Sequence, residues 1–192
     1  MSKLPEILKK ELVVRSRLFG VEELHLRFSN GVERVYERLR NPPIQAVMVV
    51  PVLDEDTILM IREYGAGTEA YELGLPKGAV DGDETLVQGA NRELMEEVGY
   101  GARSLTVLKK LTLSPSYMGH SLTVILAEDL YPARLEGDEP EPIEVVPIRM
   151  SELDDWVWRE DCTEARSIAA LYMVRDILQR RRMTAGTVEE KA

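Results

Sequence analysis

Four glutamates lie close together in the segment GAVDGDETLVQGANRELMEEVGY, residues 78–100. Glu93, Glu96 and Glu97 fall within five residues, and Glu84 is one short segment upstream. Like charges one helical turn apart destabilise a helix unless something compensates them. Carboxylate oxygens are ligands that Mg²⁺ prefers, with water and substrate phosphates completing its octahedron. The spacing therefore favours a site for a divalent cation such as Mg²⁺ or Mn²⁺. The alternative is a solvated acidic helix face.

A helix from about Thr85 to Val98 would position these acids. At about 100° per residue, which follows from 3.6 residues per turn, its apolar side chains share one arc: Leu86, Val87, Ala90, Leu94 and Val98. The three clustered glutamates share a neighbouring arc about 100° wide. We therefore expect the carboxylates at the edge of the core and not on its far side.

The flanking segments have the composition of an α/β domain. Short apolar runs, separated by turn-like residues, predict buried central strands at 46–53 (AVMVVPVL) and 57–64 (TILMIREY). Three more segments are rich in β-branched and aliphatic residues and predict further strands: LTVLKKLTL, SLTVILAEDL and IEVVPIRM. Apolar residues recur every three or four positions over 163–180, which predicts a helix.

The N-terminal segment has a different pattern. Residues 11–40 alternate polar and apolar positions around Ser29-Asn30-Gly31, which predicts a β-hairpin. Asn41-Pro42-Pro43 then marks a boundary, because proline has no amide proton to donate to a sheet. We therefore predict an extension at 1–43, a main domain at 44–183 and a flexible tail at 184–192.

Composition argues against several classes of partner. The 192 residues carry 24 Lys and Arg against 34 Asp and Glu, a formal net charge of -10, which disfavours binding to long nucleic acid or to an anionic membrane. The one cysteine, Cys162, cannot form an internal disulfide, and the start MSKLPEILKK lacks a signal-peptide core. No apolar run is long enough to cross a bilayer. We predict a cytoplasmic protein.

The acidic segment also resembles a known motif. Gly78 is followed by five residues, Glu84, seven residues and then Arg92-Glu93-Leu94-Met95-Glu96-Glu97-Val98-Gly99. This resembles the Nudix box of hydrolases that split nucleoside diphosphates linked to another group. Tyr100 departs mildly, since a bulky aliphatic residue is usual there. The resemblance implies a Nudix α/β/α sandwich, here with an N-terminal β-hairpin extension.

The resemblance also implies a role for each acid in the box. Glu93 and Glu97 would be the principal metal ligands. Glu96 would be a further ligand or act through water, and Glu84 would assist nearby. The backbone carbonyl of Lys77 is a further predicted ligand. The cofactor would be Mg²⁺ or Mn²⁺.

Other residues would support the acids or accept a proton. Arg92 would orient the carboxylates through bidentate hydrogen bonds. Gly78 would allow close backbone approach and Gly99 would end the helix, although both also fit plain turns. In the related ADP-ribose pyrophosphatases the general base often comes from a loop outside the box. Glu139 and Glu141 in EGDEPEP are the predicted bases, the alternative being an acidic surface loop.

Three segments that flank the box or overlap its first residue resemble the ADP-ribose pyrophosphatase branch: IREY at 61–64, YELGLPKG at 71–78 and SPSYM at 114–118. This resemblance implies ADP-linked substrates, namely ADP-ribose, NADH and diadenosine polyphosphates, cut to release AMP or another nucleotide. It implies substrate contacts by Arg62, Glu72, Tyr64 and Tyr117. Without the resemblance, an arginine or tyrosine is more often a surface or packing residue.

The branch also tends to form homodimers through the N-terminal segment. Arg38 or Arg40 would then reach the partner's site; alternatively, the hairpin packs on its own domain. Two other functions stay open: a module that binds a nucleotide without cutting it, and an enzyme acting on a nucleotide sugar, a capped RNA end or coenzyme A.

Overall fold

The computed structural model describes residues 3–40 and 44–189, and side chains as far as residue 184. The predicted boundary at 41–43 lies outside these residues. Contacts between residues divide the chain into two compact units: Met1–Ile44 with Thr112–Ser121, and Gln45–Leu111 with Leu122–Ala192.

The first unit contains a three-stranded antiparallel sheet in the order β1 (Glu6–Arg15), β2 (Gly20–Arg27), β3 (Glu33–Leu39). Strands β2 and β3 form the predicted hairpin, closed by a hydrogen bond of 2.9 Å from Phe28 N to Val32 O. Gly31 supplies the positive φ of +81° that the turn needs. The additional strand β1 was not predicted, because all of its residues are exposed and the sequence therefore lacks a buried, alternating face.

The second unit contains two sheets. Their strands are β4 (Ala46–Pro51), β5 (Thr57–Gly65), β6 (Ala70–Gly74), β7 (Lys77–Ala79), β8 (Tyr100–Thr112), β9 (Ser121–Pro132) and β10 (Glu144–Arg149). The sheet orders are β10-β5-β6 and β7-β4-β9-β8, with β4 and β9 parallel. Every strand predicted here is confirmed. The short strands β6 and β7 were not predicted.

The helices are α1 (Leu86–Glu93), a π-helical turn (Leu94–Val98), a 3-10 turn (Met150–Glu152), α2 (Leu153–Val157) and α3 (Ala165–Glu189). Helix α3 continues beyond residue 183, so the segment predicted as a flexible tail is helical as far as Glu189. No proline follows Pro147 in the sequence to interrupt it. None of the described helices is both long and apolar enough to cross a membrane.

The core of the second unit lies on both faces of its sheets. Successive residues of β4 alternate between two buried clusters. Met48 and Val50 belong to the cluster that includes Leu171 of α3, while Val47 and Val49 join the cluster that includes α1 and the π-helical turn. Each fully buried aliphatic side chain contributes about 1.5–3 kcal/mol to burial free energy. Helices therefore cover both faces, which confirms the α/β/α sandwich.

Candidate active site

The helical segment formed by α1 and the π-helical turn begins and ends where local sequence signals place it. Thr85 is the N-cap: its hydroxyl accepts from Gln88 N, and the Gln88 side chain accepts from Thr85 N at 2.9 Å. At the other end Gly99 is left-handed, with φ +82°. The last turn is wider than an α-helix, because Gly99 N donates to Leu94 O, five residues earlier, at 3.1 Å. Such π-helical turns are frequent at functional sites, and this one carries Glu96 and Glu97.

Two of the clustered glutamates are buried. Glu93 is 8% exposed and Glu97 is 5% exposed, so the predicted position at the edge of the core is correct for both. Gly78 on β7 lies against the Glu93 carboxyl group, and a Cβ at Gly78 would overlap that group. Only glycine at residue 78 therefore leaves room for Glu93 in this position.

Arg92 connects three of the acids through its guanidinium group. Its Nε donates to Glu84 Oε1 at 3.0 Å, and its Nη1 donates to both Glu93 Oε1 and Glu96 Oε2 at 2.8 Å. Its Nη2 donates to the carbonyl of Ala79 at 2.7 Å. The Glu84 pKa is lowered, first by the Arg92 hydrogen bond. Arg92 thus makes the contacts that the predicted orienting role requires.

Glu97 is held from a different direction. The backbone N–H of Lys77 donates to Glu97 Oε2 at 2.9 Å, so this contact involves the amide of Lys77 and not the carbonyl predicted as a ligand. Burial raises the pKa of Glu97 to about 8 against the opposing effect of Lys77. Burial also raises the pKa of Glu93, despite its bond to Arg92. Burial therefore disfavours the charged form of both carboxylates by more than Arg92 and Lys77 favour it.

These side chains line a cleft of about 850 Å³ with the segment 134–143. Three cationic side chains line it: Lys77, Arg92 and Arg134. Eight carboxylate side chains also line it: Asp81, Glu93, Glu96, Glu97, Glu136, Asp138, Glu139 and Glu141. An anionic substrate therefore needs a cation to enter this cleft.

The two predicted bases have different surroundings. The hydroxyl of Tyr71 donates to a carboxylate oxygen of Glu141. Glu139 forms no hydrogen bond with any described residue, and its pKa is raised by burial and then by Glu63 and Asp138. Both glutamates also line a second cavity of about 290 Å³.

An aromatic pair lies in the second cavity. Tyr64 on β5 faces Tyr71 directly across the strand pair, with ring centroids 5.5 Å apart and an edge-to-face angle of 65°. Arg62 also lines the cavity, but its Nη1 donates to Asp161 at 2.7 Å and its Nε to Glu144 at 3.1 Å.

The remaining predicted residues lie elsewhere. Glu72 lines neither cavity and accepts a hydrogen bond from the Thr163 hydroxyl at 2.7 Å. Arg40 and Tyr117 belong to the first unit, where Arg40 N donates to Gly20 O at 2.7 Å. Neither appears among the residues that line the two cavities.

The fit of a metal ion rests on donor chemistry. Among the described residues, no group of three or more His, Cys, Asp or Glu side chains converges closely enough to hold an ion as it stands. Arg92 and the Lys77 amide occupy oxygens of Glu93, Glu96 and Glu97. The donors are nevertheless hard oxygens, and two of them are buried with raised pKa values. A divalent cation fits this set.

Two models of known protein families match the chain. The model of the NUDIX domain matches residues 42–168. The chain belongs to the Nudix hydrolase family. A second model, the NudE-type Nudix hydrolase N-terminal domain, matches residues 5–38. Nudix hydrolases generally need divalent metal ions.

Individual Nudix relatives cover nearly the whole chain. It is 51% identical to the ADP compounds hydrolase NudE of Escherichia coli over 91% of this chain and 94% of that one. It is 27% identical to the ADP-ribose pyrophosphatase of Bacillus subtilis, over 84% and 88% of the two chains. A crystal structure of an ADP compounds hydrolase matches with TM-score 0.88 and 49% identity, over 94% and 97%. Two longer stretches, IREYGAGTEAYELGLPKG and LYPARLEGDEPEP, resemble the NudE type. The identity to the Escherichia coli enzyme confirms this resemblance.

Sequence reasoning overlooked several residues of the Nudix site. Tyr71 was quoted only as part of YELGLPKG, although alternation along paired strands would have placed it opposite Tyr64. Glu63, which binds Lys77 Nζ at 2.6 Å, had no distinguishing signal. Arg134, which precedes the acidic loop, also had no sequence signal that marked it as part of the site.

Proposed function

We propose that this Nudix hydrolase is a metal-dependent pyrophosphohydrolase that cleaves the diphosphate linkage of ADP-linked compounds and releases AMP. The observation that carries the proposal is the carboxylate group beside Gly78, in which Arg92 holds Glu93 and Glu96 while Glu97 is buried. The names of the relatives support the substrate class. ADP-ribose, NADH and diadenosine polyphosphates are the proposed substrates.

Glu93, Glu96 and Glu97 would hold Mg²⁺ or Mn²⁺, with the Lys77 carbonyl as a further ligand. A bound divalent ion supplies a water of lowered pKa and neutralises phosphate charge. Arg92 fixes the rotamers of Glu93 and Glu96 before substrate arrives. Glu84 and Gly78 support this arrangement, and Gly99 ends the turn that carries it.

Glu139 is the proposed general base that takes the proton of the attacking water. It faces the cleft, and its raised pKa brings it closer to neutral pH, where proton transfer by a carboxylate is most effective. Glu141 is less suited, because the Tyr71 hydroxyl donates to it. Glu141 instead fixes the loop that carries Glu139.

The second cavity is the proposed site for the adenosine part of the substrate. Tyr64 and Tyr71 offer aromatic surface there. Arg62 contacts Asp161 and Glu144, so a phosphate contact by Arg62 would require exchange of an ion pair. Glu72 is proposed to act on the ligand indirectly, through its contact with Thr163.

The N-terminal extension, residues 1–43, is proposed to be the arm of a homodimer. Apolar side chains are exposed on β1: Ile7, Leu8, Leu12, Val13 and Val14. Contiguous exposed apolar surface marks interaction sites. Arg40 or Arg38 is proposed to reach the partner's site, and Tyr117 is proposed to stack on the adenine of the substrate. The protein is proposed to be cytoplasmic. Light scattering that gives the mass of one chain would contradict the dimer.

The deciding experiment measures AMP release from ADP-ribose and from NADH with Mg²⁺, comparing the intact chain with Glu97→Gln. Removing one charge while preserving shape should lower the rate by about 10²-fold or more. Equal rates would reject the role of Glu97. A chain that binds ADP-ribose without cutting it would be a nucleotide-binding module, and turnover of only nucleotide sugars, capped RNA or coenzyme A would change the substrate.

A further inference from the structure

Arg134 follows β9 at the edge of the main cleft, and its backbone is fixed on both sides. Ala133 N donates to Gly99 O at 3.1 Å, and Leu135 N donates to Met95 O at 3.2 Å. These two bonds attach the segment to the first part of the π-helical turn and to its C-cap. The position of Arg134 is therefore set by the same turn that carries Glu96 and Glu97.

The guanidinium group of Arg134 lies against Gly99. A Cβ built on Gly99 would lie 2.8 Å from Arg134 Nη2 and 3.0 Å from Nε. A side chain at residue 99 would thus displace the guanidinium. Gly99 ends the helix and also leaves room for a cation at the mouth of the cleft.

Arg134 differs from the other two cations of the cleft in its partners. Lys77 pairs with Glu63 at 2.6 Å, and Arg92 pairs with glutamates of the Nudix box at 2.8–3.0 Å. Arg134 forms no ion pair or side-chain hydrogen bond with any described residue, although eight carboxylates line the same cleft. Its donors are therefore free to bind an anionic ligand.

We propose that Arg134 binds a phosphate oxygen of the ADP-linked substrate, as a substrate-binding residue. The inference rests on the proposed function. A planar guanidinium matches phosphate geometry and can form two parallel hydrogen bonds to it. Because the carboxylates repel a diphosphate, an unpaired cation held at a fixed place is the chain's own means of attracting one.

The test compares Arg134→Ala and Arg134→Lys with the unmodified chain and with Arg103→Ala. Arg103 is a matched control, because it pairs with Asp129 at 3.1 Å and lies over the Tyr131 ring, and it does not line the cleft. Steady-state hydrolysis of ADP-ribose with Mg²⁺ gives kcat and KM. Calorimetry with the methylene analogue of ADP-ribose, which cannot be cut at the diphosphate, gives binding without turnover.

We expect Arg134→Ala to raise KM, and to weaken analogue binding, by about 10-fold or more, with kcat and the Mg²⁺ requirement little changed. Arg134→Lys should recover part of the affinity, since it restores charge but not the planar fork. Arg103→Ala should leave both quantities unchanged.

The outcomes that would overturn this inference differ from those that would overturn the proposed function. Unchanged KM and analogue binding in an active Arg134→Ala variant would overturn only the inference, and a lowered Tm alone would assign Arg134 to stabilising the helix C-terminus. If the unmodified chain neither hydrolyses ADP-ribose nor binds the analogue, both the proposed function and this inference are overturned.

Discussion

The amide of Lys77 donates a hydrogen bond of 2.9 Å to Glu97, the most buried carboxylate of the Nudix box. The next residue, Gly78, lies against the carboxyl group of Glu93. Strand β7 therefore contacts both buried acids through its backbone alone. The geometry of the site depends on the path of residues 77–78 as well as on the acidic side chains.

Gly78→Ala should reduce activity because its methyl group would displace the Glu93 carboxylate. A misplacement of about 1 Å at a catalytic group can cost about 10²-fold in rate, so we expect kcat/KM for ADP-ribose to fall by about that factor. Gly67→Ala is the control, because a Cβ there has no neighbour within 4 Å. Similar kcat/KM values for both variants would contradict the assigned role.

Arg92→Lys should weaken the response to Mg²⁺. Lysine keeps the charge but cannot donate to Glu84, Glu93 and Glu96 together. Loss of a group that orients metal ligands costs about 10–100-fold in metal affinity or activity. Titration of activity with Mg²⁺ measures this loss. The control is Arg175→Lys, which alters an ion pair with Asp154 outside the cleft. An unchanged Mg²⁺ requirement in Arg92→Lys would refute the prediction.

Ser167→Ala should destabilise the second unit. The fully buried Ser167 hydroxyl accepts from Leu75 N at 2.9 Å and donates to Glu164 at 2.8 Å. An unsatisfied buried amide costs about 1–3 kcal/mol, which urea unfolding would detect. The exposed Ser104→Ala should stay within about 0.5 kcal/mol of the unmodified chain. If Ser167→Ala and Ser104→Ala lower the free energy of unfolding equally, the Leu75 amide finds another hydrogen-bond partner in the variant.

Asp161 should contribute stability that depends on pH. Hydrogen bonds from Arg159, and then from Arg62, hold the pKa of this carboxyl well below its usual range. Its folded-state pKa lies below the unfolded value of about 3.9, so the stabilisation is present at neutral pH and is lost as the pH falls below about 4. Asp161→Asn should lower the free energy of unfolding by about 1–2 kcal/mol at pH 7, and the deficit should shrink toward pH 2.

A control for the pH prediction is Asp176→Asn. Asp176 pairs with Arg180 at 2.8 Å on the exposed surface of α3, where an ion pair contributes little. Unfolding by urea at several pH values compares the two variants. An Asp161→Asn deficit that stays constant down to pH 2 would reject the proposed linkage.

Local patterns explain what could be predicted from the sequence. Helical spacing predicted the helix from about Thr85 and the shared arc of the acids, and the resemblance to the Nudix box implied that Gly99 ends it, because all of these residues act within one helix. The widened turn was not predicted, because its hydrogen bond from Gly99 to Leu94 replaces an α-helical bond without any change of residue type. Strand β1 was overlooked because its exposed residues lack a buried period.

Contacts between distant residues explain the rest. Arg62 contacts Asp161, 99 positions away, and Glu72 contacts Thr163, 91 positions away. No periodicity encodes such pairs, so IREY and YELGLPKG indicated a family branch but not the partners of their charged residues. The different surroundings of Glu139 and Glu141 likewise depend on Tyr71, 70 residues before Glu141.

Residues 139–143 line both the main cleft and the second cavity. A mutation that widens one cavity at this stretch therefore changes the boundary of the other. At these five positions, evolution cannot change the shape of one cavity without changing the other. A bulkier side chain selected in the second cavity at one of these positions therefore also alters the surroundings of Glu139 in the main cleft.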